Sequence, residues 1–189
     1  MQLRQCFRVL VLVLAALPVW ARALEAPGIP NFHQINEHVY RGGQPSDEGW
    51  RSLAALGITT VIDLRRDNED GEHWIAAERR AVEAAGMRYV SIPMKGIVAP
   101  SDEQIAKILA LFESGERVFV HCRRGKDRTG MAIACYRIAH DRWVNQKALD
   151  EAKSLGLHWV EVGMKRYIMN FRAPAEAVVA NTQAAAAGQ

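Results

Sequence analysis

Cysteine is scarce: Cys6, Cys122 and Cys135 are the only three in 189 residues, too few for a disulfide framework. Aromatics make up 7% of the chain and follow no basic stripe, so nothing supports nucleic-acid binding. The formal charge is only +3. No apolar run is long enough to read as a membrane span, since Val9 to Leu17 falls well short of about 20 residues. There is no internal repeat. The stretch Ile92-Pro93-Met94-Lys95-Gly96-Ile97-Val98-Ala99-Pro100 holds no carboxylate at all.

The two ends differ from the middle. Residues 1 to 23 read as a secretory signal: Arg4 and Arg8 precede the apolar run, and Ala21-Arg22-Ala23 offers a small-x-small cleavage site. Cutting after Ala23 predicts a periplasmic or secreted protein; an uncleaved anchor is the alternative. Cys6 precedes the apolar run, which disfavours a lipoprotein signal. The segment holds three arginines and no acid, so its removal takes the formal charge from +3 to zero. Any cationic patch on the remaining chain is therefore local. Residues 173 to 189 are Ala-rich and unpatterned, which predicts a frayed tail.

Between these ends, residues 24 to 172 predict one α/β domain. Strand candidates are His38 to Arg41, Thr59 to Leu64, Arg88 to Ile92 and Arg117 to His121, all short and bounded by Gly, Pro or charge. Helices alternate with them. Ser46 caps one running to Leu56 and stopped by Gly57, and His73 to Ala85 forms the next. Ser101 with Gln104 makes a capping box ahead of an apolar face of Ile105, Ile108, Leu109 and Phe112. Two more follow, near Gln146 to Leu155 and Glu161 to Phe171. The alternation predicts a central, mostly parallel sheet with helices on both faces, binding its ligand beyond the carboxyl ends of the strands.

One such strand end carries the chemistry. The run His121-Cys122-Arg123-Arg124-Gly125-Lys126-Asp127-Arg128-Thr129-Gly130 lies between the apolar Val118 to Val120 and a helical segment, Met131 to His140. A loop of this length wraps backbone N–H groups around an oxyanion, and a helix N-terminus points more at the same spot. A thiol attacks only as thiolate, and its pKa falls beside helix N-termini and cations. Arg128, Lys126, Arg123 and Arg124 all act in that direction. Arg128 can grip two phosphoryl oxygens with its fork. Gly125 permits the positive φ that lets the amides converge. Thr129 can donate to the sulfur, and His121 is expected to orient the loop by bonding its backbone. Cys135 sits about two turns into the following helix, on the order of 10 Å from Cys122. That exceeds disulfide reach, so Cys135 is expected in the core.

These residues resemble the signature of the cysteine-dependent protein tyrosine phosphatase superfamily: His-Cys, five residues, Arg, then Ser or Thr. Upstream, Val39-Tyr40-Arg41-Gly42-Gly43-Gln44-Pro45 and Gly57-Ile58-Thr59-Thr60-Val61-Ile62-Asp63-Leu64-Arg65 look like the opening of the atypical dual-specificity branch. The likeness covers residues 31 to 172. It implies hydrolysis of a phosphorylated protein, lipid or inositol phosphate through a phosphocysteine, by a monomer without cofactor or metal. Cys122, Arg128, Asp127 and Thr129 are the implied catalytic residues. Arg123, Arg124, Gly125, Lys126 and Gly130 are the implied substrate-binding set, with His121 as structural support.

The resemblance also exposes a departure. The branch carries its general acid on a loop before the cysteine, where the acid-free stretch 92 to 100 lies. Asp127 is the expected substitute, because relatives with Gly-Lys-Asp-Arg are thought to use that aspartate; Asp102, at a helix start, is the second. Arg123 and Lys126 match positions that phosphoinositide phosphatases share, so a shallow cationic site is expected. A rhodanese-like sulfurtransferase fits less well, because its loops generally lack this arrangement. A phosphate-binding protein without turnover has no need of a thiolate. Asp67, Glu69, Asp70 and Glu72 read as a solvated acidic loop. His158 and Trp159 read as packing, Trp74 as a core or rim aromatic, and Arg41 as within reach of the substrate mouth.

Overall fold

The computed structural model describes residues 26–69 and 73–173. The expected signal and residues 174–189 of the tail lie outside these, as do Asp70, Glu72 and the Trp74 side chain. Among the described residues no helix is long and apolar enough to cross a membrane.

Five strands form one mixed sheet: β1 (His33–Gln34), β2 (Val39–Gly42), β3 (Thr60–Asp63), β4 (Arg88–Ser91) and β5 (Val118–His121), in the order β1-β2-β5-β3-β4. The β2–β5, β5–β3 and β3–β4 pairs are parallel, while β1 lies antiparallel on the β2 edge. Every strand expected from sequence is present within a residue or two. The addition is β1, whose two residues are too few to leave an alternating pattern.

Helices α1 (Asp47–Ala55) and α2 (Trp74–Ala84) cover one face; α3 (Asp102–Phe112), α4 (Asp127–Ala139), α5 (Asn145–Ser154) and α6 (Val162–Asn170) serve the other. Alternation along the strands divides the core. Val118 and Val120 belong to the α4 side with Ile62 and Val39, whereas Phe119, Val61 and Tyr40 pack with Trp50 and Leu53 of α1. The capping box forms as its spacing predicts: Ser101 accepts from the Gln104 N–H, and the Gln104 side chain accepts from the Ser101 N–H.

Helix α4 is the pivot. Almost all of its residues are buried, because it runs between the sheet and α3, α5 and α6. A helix apolar around its whole girth is an interior helix. Its N-terminus follows the end of central strand β5 within a few residues, so the loop from Cys122 to Lys126 is pinned at both ends. Cys135 is fully buried and its thiol is free. Burial, with Asp102 adding to it, pushes that thiol far above its ordinary range, so it is inert.

Candidate active site

The loop is held from behind as well as at its ends. Gly125 has φ +67, and a Cβ there would lie 2.3 Å from the Gly42 carbonyl carbon and 2.4 Å from the Gly43 nitrogen. Gly43 in turn sits against the backbone of Arg123 and Arg124, and the Gln44 N–H donates to the Arg123 carbonyl at 3.1 Å. The Arg41-Gly42-Gly43-Gln44 segment is thus a backbone cradle for the loop. Its two glycines are there for close approach, since neither has a positive φ.

Arg41 lies beneath this cradle and not at the mouth. It is fully buried, and its Nη2 donates to the Gly125 carbonyl, which also accepts from Asn31 Nδ2 at 2.8 Å. Its Nε and Nη1 are buried with no hydrogen-bond partner.

Cys122 is 3% exposed. Burial disfavours its thiolate, but the net direction is downward. The Thr129 hydroxyl, the Arg128 guanidinium and the backbone N–H groups of Thr129 and Gly125 together outweigh the desolvation. The Thr129 hydroxyl is itself buried, and its interaction with the sulfur is among the influences that favour the thiolate. Arg128 is fixed on one side: its Nη1 lies 2.8 Å from Glu69 Oε2 and donates to the carbonyls of Leu64 and Met94 at 3.4 and 3.3 Å. Glu69, expected in a solvated acidic loop, instead orients the arginine. Asp67 does stay at the surface, beside His73.

His121 does not meet the loop backbone. Its ring is fully buried, with Nε2 2.9 Å from Glu78 Oε1. Asp63 accepts from Arg65 Nε and Nη2, both at 2.9 Å, and from the Tyr89 hydroxyl at 2.8 Å, while Arg65 also bonds Glu78. Burial pulls His121 down, yet Glu78 and Asp63 reverse that and raise it overall. Burial likewise opposes ionisation of Asp63, and His121 and Arg65 overcome it, leaving its carboxyl below the usual range. The carboxylates of Asp63 and Glu78 come near His121 in a way that could suit a metal. The Arg65 guanidinium already fills the cation's place between them. The set is a charged brace between β3, α2 and β5.

A cavity of about 660 Å³ opens over the sulfur. Cys122, Arg123, Arg124, Asp127 and Arg128 line it from the loop; Glu69, Ile97, His158 and Glu161 line it from elsewhere. Three arginines therefore face three carboxyl groups, so the site is less cationic than expected. Lys126 is not among the lining residues, and its stem packs on Gly156. Gly130 lies inside α4 near Ala152 of α5 and is not among the cavity's lining residues. Asp102 lines a separate groove with Tyr167, whose hydroxyl donates to it at 2.7 Å.

Asp127 lies at the cavity, and both its oxygens are engaged. Oδ1 accepts from the His158 N–H at 2.8 Å, and Oδ2 from Arg124 Nη2 at 3.2 Å. His158 is thus a wall of the site and not packing, and Trp159 is 77% exposed. Glu161 escaped the sequence reading. Its only local signal is a carboxylate at a helix start, which usually means no more than a favourable dipole contact.

The chain is similar to known proteins in sequence and in fold. A family profile described as "PTP-NADK: DSP-PTPase phosphatase fused to NAD+ Kinase" matches residues 17–169. The dual specificity protein phosphatase TpbA of Pseudomonas aeruginosa (strain UCBPP-PA14) is 30% identical over 142 residues, which is 74% of this chain and 60% of TpbA's own length. The inositol diphosphatase DSP5 of Arabidopsis thaliana is 27% identical over 146 residues, covering 75% of this chain and 70% of DSP5. Among solved structures, P. aeruginosa TpbA superposes with a TM-score of 0.65 at 24% identity, over 87% of this chain and 98% of that one. The catalytic core of the PP-IP phosphatase SIW14 from S. cerevisiae reaches 0.70 at 20% identity, over 84% and 96%. The chain belongs to the DSP-PTPase phosphatase family.

Proposed function

We propose that the protein is a cysteine-dependent phosphatase that hydrolyses phosphate monoesters through a phosphocysteine on Cys122. The thiolate attacks phosphorus; the P–S bond forms as the ester P–O bond breaks, and the leaving oxygen takes a proton from an acid. Water then attacks the phosphocysteine, gives up a proton, and releases inorganic phosphate and the thiolate. Arg128 and the loop amides bind the non-bridging oxygens, whose charge grows on the way to the transition state. Thr129 stabilises the sulfur as attacking and leaving group. Asp127 belongs to the same machinery, and His121 supports it from the buried brace. The observation that carries this reading is the Cys122 sulfur set between the end of β5 and the start of α4, in the floor of a cavity that Arg128 also lines.

The favoured substrates are phosphotyrosine or phosphoserine proteins. Three carboxyls offset three arginines around the cavity, and Ile97 and Val160 give it an apolar edge, which suits one phosphoryl group on an organic body. A second reading, a polyanionic phosphoinositide or inositol phosphate, draws on Arg123 and Arg124, both exposed at the mouth, and on relatives named inositol diphosphatases. We infer export, on the strength of residues 1 to 23. Phosphate release from phosphopeptides, phosphoinositides and inositol polyphosphates, with Cys122→Ser as blank, tests the proposal. Turnover of phosphopeptides above the others supports the first reading, and a panel as inactive as the blank overturns both.

A further inference from the structure

Glu161 caps the start of α6 and has no part in the scheme so far. It is 6% exposed and lines the Cys122 cavity. The backbone N–H of Ile97 donates to its carboxyl group, while Oε2 is buried with no hydrogen-bond partner. Ile97 belongs to the acid-free stretch 92 to 100 and holds φ +70. Gly163, in the first turn of α6, lets that stretch come close: a Cβ on it would lie 2.9 Å from the Ile97 carbonyl oxygen. The first turn of α6 therefore docks on a loop that has no carboxylate of its own, and brings one. Asp127 stands on the other side, with both oxygens already accepting from His158 and Arg124.

We propose that Glu161 is the proton donor to the leaving oxygen, with Asp127 held beside it by the His158 N–H and Arg124. This rests on the phosphatase reading above. Glu161 gives its proton to the ester oxygen as the P–O bond breaks, leaving a carboxylate. That carboxylate then takes a proton from the water that attacks the phosphocysteine, so the acid is restored each cycle. Burial first, and the nearby Asp127 second, push the Glu161 carboxyl above its ordinary value, against the weaker pull of the Ile97 N–H, Arg124 and His158. A pair of carboxyls with different environments is how one site divides acid and anion roles.

The test compares the full chain with Glu161→Gln and Asp127→Asn on aryl and alkyl phosphates of graded leaving-group basicity. Glu161→Gln is expected to lose on the order of 10²-fold or more in kcat on alkyl phosphates. It should lose little in the nitrophenol burst from 4-nitrophenyl phosphate, whose leaving group needs no proton, while breakdown of the phosphocysteine slows on every substrate. The alkaline limb of its kcat profile should vanish, while the phosphocysteine still forms. An equal loss in the rate of phosphocysteine formation on every substrate with the limb intact overturns the proposal, as does a leaving-group dependence that appears only in Asp127→Asn. If Glu161→Gln does not fold, Glu161→Asp decides: it should retain the wild-type tolerance of poor leaving groups and an alkaline limb, and losing either counts against the proposal. A wild-type chain with neither turnover nor phosphocysteine fails at the phosphatase reading itself, which separates the two failures.

Discussion

The Arg41 guanidinium donates to the Gly125 carbonyl from inside the fold, beneath the loop that carries Cys122. Burial lowers its pKa to about 10, against the raising influence of Cys122 and Glu151, so it remains a cation at neutral pH. A buried cation with two unpartnered nitrogens is costly unless an anion nearby is favoured in return. Cys122, as thiolate, and Glu151 are the anions that act on it.

Arg41→Met should therefore shift the pH profile of Cys122 alkylation by iodoacetamide to higher pH. With the loop carbonyl released, kcat/KM should fall on the order of 10²-fold, as small misplacements of reacting groups do. An unshifted alkylation profile would break the link between Arg41 and the sulfur.

Gly125→Ala should be far worse than Gly86→Ala. Both glycines have positive φ, +67 and +79, but only Gly125 has backbone within 4 Å of the added Cβ. Gly86→Ala should cost about 1 kcal/mol of strain. Gly125→Ala should lower the melting temperature further and abolish turnover, because the cradle and the loop cannot both stay in place. Equal melting temperatures and equal activity would mean that the close approach is dispensable.

Thr129→Val keeps the shape and removes the hydroxyl. A hydrogen bond to a charged group contributes roughly 1.5–3 kcal/mol, about 10- to 100-fold in rate. The loss should appear both in the thiol titration, moved upward, and in slower breakdown of the phosphocysteine. A normal titration would leave Arg128 and the amides as sufficient.

Glu78→Ala leaves the Arg65 and His121 cations without one of their anions, and breaking a buried pair costs about 3–5 kcal/mol. The pH dependence follows from His121. Its folded pKa is raised, so its contribution is complete below the unfolded histidine value and is lost as pH climbs through the folded one. Urea denaturation from mildly acidic to alkaline pH should show stability declining in the wild type and a flatter profile in Glu78→Ala. Parallel profiles would take His121 out of the brace.

Where the sequence was readable, the cause was local. Ser101 and Gln104 cap α3 because they are three residues apart, and the loop sits between β5 and α4 because an apolar run precedes it and a helical one follows. The misreadings all involve partners far along the chain. Arg41 and Gly125 are 84 residues apart, and Asp127 meets the His158 N–H across 31. Glu69 reaches Arg128 across 59. Nothing near Glu69 or Glu161 in sequence tells which of many surface carboxylates is turned into a cavity. Gly42 and Gly43 do not declare their role in sequence, because close approach leaves the same single-letter signal as a positive φ.

The central claim is covalent chemistry at Cys122. Rapid quench of the full chain with 4-nitrophenyl phosphate, followed by mass spectrometry of the Cys122 peptide, measures it directly. The added mass of one phosphoryl group should appear on Cys122 with the burst of nitrophenol and be absent in Cys122→Ser. Phosphate release at the wild-type rate with no phosphorylated Cys122 peptide, or undiminished release by Cys122→Ser, would contradict it.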